Sequence, residues 1–131
     1  MTWATTIPSK GVDIFTANFM LACLNETGYR KLILKSDNEP AIIALKNEVK
    51  AQAKGIEIIL QEAPTGDHSA NGSVEVAVRD EKRQARALSS ELEENLGKMD
   101  GKHPMLTWLS RHAAFCLGRF SIKTMARLPI K

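Results

Sequence analysis

Two periods of apolar spacing run along this chain, one near 2 and one near 3.6. Residues 2–7, rich in Thr and Ile and closed by Pro8, predict a short strand. Asp13 predicts the cap of a helix with Phe15, Phe19 and Ala22 on one face and Ile14, Leu21 and Leu24 beside them. Gly28 predicts a left-handed end to that helix. Residues 29–35 predict a second strand centred on Leu32, Ile33 and Leu34, apolar enough to be covered on both faces. Pro40 predicts the first position of a helix with Ile42, Leu45 and Val49 as its buried stripe, stopped at Lys54-Gly55. Residues 56–60 predict a third strand, followed by a turn-rich loop over 62–68. A long helix is predicted over 69–96, with Val74, Val78, Ala85, Leu88, Leu92 and Leu96 facing inward. After a polar break at 97–102, Pro104 predicts a last helix packed through Leu106, Leu109, Ala113, Cys116 and Phe120.

This order predicts an α/β fold of about three strands and four helices, with right-handed crossovers and a largely parallel sheet. The 131 residues suit one domain, with no internal repeat and no break except 97–102. Hydrophobic residues make up 44% and charged residues 25%, which excludes a disordered chain. Aromatic residues are only 5%, so aliphatic side chains must carry the core. No stretch approaches the roughly 20 apolar residues of a membrane span, so no membrane partner is expected. The first residues lack a basic leader, and the expected location is intracellular. A net charge of +3 and a pI near 9.0 permit nucleic-acid binding without establishing it. Cys23 and Cys116 sit in helix-like stretches and are expected as reduced thiols, with no Cys-x-x-Cys pair to suggest zinc.

Ligands of open α/β sheets gather at the carboxyl ends of strands, where Asp37 falls. Asp37 is either a cap for the helix at Pro40 or a metal ligand. Glu75, near the start of the long helix, is either a solvated first-turn residue or an inward ligand. Two such carboxylates together suit a hard divalent cation. Arg79 and Lys82 follow Glu75 by four and seven positions, and Arg83 and Arg86 extend the basic stripe. That stripe is either a phosphate-contacting surface or a solvated face interleaved with Asp80 and Glu81. His68, His103 and His112 have no ligand spacing and are expected as loop, cap or surface residues.

Leu34-Lys35-Ser36-Asp37-Asn38-Glu39 resembles the second-aspartate motif of retroviral-type integrases. Ser69-Ala70-Asn71-Gly72-Ser73-Val74-Glu75 resembles their Ser-x-Asn-Gly-x-x-Glu motif, although Ala70 stands where many members carry Gln. The 37 residues between Asp37 and Glu75 are close to that family's spacing. Residues 104–120, with Trp108 and Ala113-Ala114, are similar to the last core helix of retrotransposon polyproteins, with Gly118 where Asn is expected. The resemblance implies an incomplete RNase H-like (ribonuclease H-like) fold, with residues 1–120 a partial integrase catalytic core and 121–131 a basic tail. It implies that Asp37 and Glu75 are catalytic ligands of Mg²⁺ or Mn²⁺. Asn71, Arg79, Lys82, Arg83 and Arg86 would then bind DNA, in the nucleus, for phosphodiester strand transfer.

The family's first aspartate lies on strands that would precede residue 2. By that resemblance the chain is expected to bind metal weakly, to be catalytically defective and to self-associate through the free edge of the 29–35 strand. Asp13 begins a helix and is expected as a cap rather than a third ligand. A second class of function is a non-catalytic nucleic-acid-binding module of the same fold. A third is another transposase or a ribonuclease H, the latter opposed by the Asn-Gly-x-x-Glu segment.

Overall fold

The structure, a computed structural model, describes residues 2–64 and 72–120. Helix α1 (Ile14–Glu26) begins where Asp13 accepts hydrogen bonds from the Phe15 amide at 2.8 Å and from the Thr16 hydroxyl. This satisfies an amide that the first turn otherwise leaves without a partner. The helix ends at Gly28, whose φ of 74° turns the chain into strand β1 (Lys31–Ser36). Gly55, at φ 76°, does the same between helix α2 (Pro40–Gln52) and strand β2 (Glu57–Glu62). A side chain at either position would crowd the backbone in this left-handed region.

β1 and β2 pair in parallel, from Lys31 opposite Glu57 to Ser36 opposite Glu62. Parallel neighbours cannot be joined by a hairpin, so the chain returns through α2. The helix covers one sheet face. Ala17 of α1, Leu45 and Val49 of α2 and Ile58 of β2 form a buried cluster, flanked by Met20, Leu21, Leu24, Leu34, Ile56 and Leu60. The architecture is therefore α/β, and the expected parallel pairing of the two strands is observed.

The chain divides into two compact units. Residues 7–76 form the unit just described. Of the described residues, 2–6 and 77–120 form the other, which holds helix α4 (Pro104–Phe120) and helix α3 (Gly72–Leu96) from Ala77 onward, the first five residues of α3, Glu75 among them, belonging to the first unit. Leu109, Ala113 and Ala114 of α4 are buried in it. Ser110 Oγ donates to Glu81 Oε1 at 2.9 Å and ties α4 to α3. His103 directly precedes α4, its Nδ1 accepting from the Met105 amide at 3.2 Å.

Several expectations need correction. Residues 2–7 form no strand, and the described residues hold two strands rather than three. Thr and Ile favour strands only where a ladder satisfies the backbone. Here residues near the N-terminus lie along α4, with Arg111 Nε donating to Thr5 Oγ1 at 3.0 Å. β1 is covered on one face only, because Ile33, 63% exposed, stands beside exposed Ile59 on the open face. On α1 the packed face is Ala17, Met20, Leu21 and Leu24, a complete i, i+3, i+4, i+7 set, whereas Ile14, Phe15 and Ala22 are exposed. That helix is apolar all round, so its spacing did not distinguish the faces. Ala85, Leu88 and Leu92 of α3 are half-buried, but Val74, Val78 and Leu96 are exposed. At 17 residues, α4 is too short to cover all 25 of α3. Phe120, at the last position of α4, is exposed as well.

These placements predict unequal costs for two isoleucines. Ile58→Ala should destabilise the sheet unit by about 2–5 kcal/mol in urea unfolding. Ile33→Ala should stay within about 0.5 kcal/mol of the parent. Among the described residues β1 pairs with β2 alone, so Ile33→Lys beside its open edge should reduce any self-association seen by sedimentation.

A pH dependence follows from the α1 cap. The Thr16 hydroxyl, with help from the Phe15 and Thr16 amides, holds the Asp13 carboxyl below its ordinary value of 3.8. Its folded-state value is depressed, so the stabilising contribution is complete above the unfolded value and disappears as pH falls through the folded one. Thermal unfolding of the parent should show this loss below pH 3.8, and Asp13→Asn should remove that component of the pH profile.

Candidate metal and nucleic-acid site

Asp37 directly follows Ser36, the last residue of β1, and is exposed at the carboxyl end of the parallel pair. The ladder closes there, with the Ala63 amide donating to the Ser36 carbonyl at 2.8 Å. Asp37 does not cap α2. The N-cap of α2 is Glu39, which makes no side-chain capping bond, and the Ile42 and Ile43 amides donate to the Glu39 carbonyl. The Glu39 carboxylate is held instead by Lys10 Nζ, at 3.0 and 3.2 Å. The Asp37 carboxylate is thus left without the capping role open to it in the sequence.

Glu75 lies in the first turn of α3 and is exposed, so the inward placement does not hold and its carboxylate is not desolvated. Arg79, Lys82, Arg83 and Arg86 are all exposed. They follow Arg79 at i+3, i+4 and i+7 and, with Glu75, line one strip of the helix. Asp80 and Glu81 lie about 100° and 200° further round, at the helical turn of 3.6 residues. Both are half-buried, and Glu81 is engaged by Ser110. The acids that interleave with the cations in sequence therefore lie away from them in space. Among the described residues, none of these four cations forms an ion pair.

Asn71 and His68 fall outside the described residues, as do Ser69 and Ala70 of the same motif. Among the described residues no group of three or more His, Cys, Asp or Glu side chains is placed to hold a metal. Among the described residues Cys23 and Cys116 form no disulfide, and both are half-buried rather than sealed in a core. Comparison of the chain with protein-family models, curated proteins and solved structures gave no match.

Two features escaped the sequence reading. Lys46 is only 2% exposed, and its Nζ donates to the Gln61 carbonyl at 3.0 Å near the carboxyl end of β2. Its signal was the spacing Ile42, Leu45, Lys46, Val49, which puts Lys46 on the buried stripe. The second is a line of rings on α4. Trp108 stacks on His112 at 4.4 Å, His112 on Phe115 at 6.1 Å, and Phe115 meets Phe120 edge-on at 6.5 Å. His112 thus belongs to a ring stack, with Nε2 3.5 Å from Cys116 Sγ.

The buried ammonium predicts a split between two substitutions. Lys46→Ala removes both the stem that fills the core and the bond to Gln61, and should cost about 1.5–3 kcal/mol. Lys46→Met keeps the stem and has no charge to desolvate, so its urea midpoint should lie closer to the parent's.

Proposed function

We propose that this chain is a DNA-handling, integrase-like polypeptide of RNase H-like fold. In it Asp37 and Glu75 are ligands for Mg²⁺ or Mn²⁺, and Asn71, Arg79, Lys82, Arg83 and Arg86 hold the DNA. The observation that carries it is the strip on α3. A carboxylate and four cations share one solvent-facing line, opposite the side that meets α4. The parallel order of β1, α2 and β2, with Asp37 at the strand end, supports it further.

The donor chemistry suits the metal. Carboxylate oxygens are the ligands that Mg²⁺ and Mn²⁺ favour. Two carboxylates supply few of the roughly six positions Mg²⁺ fills, so water must take most of the rest and affinity should be low. When bound, the ion would polarise a phosphodiester and activate the attacking hydroxyl. The chain's own contribution is to orient the duplex. Exposed guanidinium and ammonium groups at successive turns of α3 would meet phosphates along one strand and hold its end near Glu75.

A second reading is a nucleic-acid-binding module without catalysis. It is favoured by the contrast between a complete basic strip and an acidic set of only two members. Binding of a short duplex with a 3′-hydroxyl end separates the two. Four phosphate contacts predict a slope of log K against log salt of about −3.6, with each Arg→Gln or Lys→Gln change in the strip reducing it by about 0.9. Asp37→Asn and Glu75→Gln should each abolish the Mg²⁺-dependent part of binding. Joining of DNA ends is not expected from two carboxylates alone. Binding that persists unchanged in EDTA and in both acidic variants would leave the non-catalytic module as the function.

A further inference from the structure

From the ring line on α4 we infer a second nucleic-acid surface, one that takes single-stranded DNA by base stacking. Trp108, His112, Phe115 and Arg119 fall at i, i+4, i+7 and i+11, a single ridge along the helix. The ridge is open: Trp108 is 47% exposed, Phe115 54% and Phe120, just beyond it, 71%. A run of exposed rings of this kind is a site that asks for an occupant. Charge selects among the candidates. Between residues 101 and 120 the chain carries Lys102, Arg111 and Arg119 and not one of its 15 Asp and Glu residues. A segment so uniformly cationic fits a polyanion.

A second copy of the chain fits poorly. A two-fold interface brings the same patch against itself, and a ridge whose nearby charges, Arg111 and Arg119, are both positive repels its own image. A membrane surface fits less well than DNA, because the middle of the ridge is the polar His112 ring, stacked between its neighbours rather than aliphatic. Single-stranded DNA supplies what the ridge lacks: π-faces to extend the ring stack from the exposed Trp108, and phosphates for Arg119. Duplex DNA keeps its bases stacked on one another and offers only its phosphates. The ridge is independent of Asp37, Glu75 and any metal.

The test uses the full chain and oligodeoxythymidylate about 20 nucleotides long, in EDTA, beside a duplex of equal length. Tryptophan fluorescence should be quenched by the single strand. Base–aromatic stacking of about 1–3 kcal/mol per base makes the affinity fall about 5- to 150-fold in Trp108→Ala. Trp108→Phe should restore most of it, and duplex binding should change little in either variant. Phe115→Ala, at an exposed site, should weaken single-strand binding in the same direction and serves if Trp108→Ala does not fold. Asp37→Asn should leave single-strand binding intact, which separates this surface from the metal site. Three results would overturn the inference: equal single-strand affinity in parent and ring variants, a dimer lost in Trp108→Ala without oligonucleotide quenching, or a tryptophan blue shift with anionic phospholipid vesicles and none with the oligonucleotide.

Discussion

The sheet unit depends on one apolar seam, where Val49 and Leu45 of α2 meet Ile58 of β2 in a cluster shared with Ala17 of α1. A two-stranded parallel pair has no hairpin to hold its strands in register, and hydrogen bonds alone are a weak reason for them to stay together. The register from Lys31–Glu57 to Ser36–Glu62 survives because the crossover helix returns over one face and removes it from water. The same stripe of α2 carries Lys46, so the seam also brings an ammonium to the Gln61 carbonyl. A bond that links α2 to the end of β2 closes the seam at the side where Asp37 emerges.

The helices of the other unit obey a different division. On α3, half-buried Ala85, Leu88 and Leu92 lie opposite the exposed cations, and the acidic neighbours of those cations turn toward the half-buried side. Charge on this helix is sorted by angle and not by sequence. Net charge would not reveal it, because the Asp80-Glu81 pair cancels two cations in any local count. Only placement on the helix separates a strip that can hold a polyanion from a mixed, solvated surface.

Much of this was legible in the chain, and the failures have physical causes. Asp13, Gly28, Pro40 and Gly55 marked helix ends because each meets a local backbone demand, whatever packs around it. Strand 2–7 was misread because a strand is a property of two segments, and propensity reports on one. The inner face of α1 was misread because Phe15 and Phe19, stacked at 6.4 Å, satisfy each other on the outer side. The double cover expected for β1 failed for a related reason. A run of three apolar residues is compatible with one covered face, and Ile33 is the residue that remains outside. Of the candidate site, the basic strip followed directly from helical spacing, whereas the buried Lys46 was passed over because residue type outweighed position.

The two aspartates that precede helices bear most directly on function. Asp13 commits its carboxylate to α1, accepting from the Phe15 amide and the Thr16 hydroxyl, and those bonds lower its proton affinity. Asp37 stands three residues before α2 and, among the described residues, its carboxylate accepts no such bond. Pro40 at the helix start has no amide to satisfy, the Ile42 and Ile43 amides reach the Glu39 carbonyl, and Glu39 itself turns to Lys10. None of these bonds involves the Asp37 carboxylate. A carboxylate exposed at the end of a parallel strand, with its helix already capped by other means, departs from local economy in the way functional residues do. An exposed aspartate that does not cap its helix is the kind of residue a divalent cation could recruit at little cost to stability, and it is on that ground, beside its motif, that Asp37 enters the proposed site.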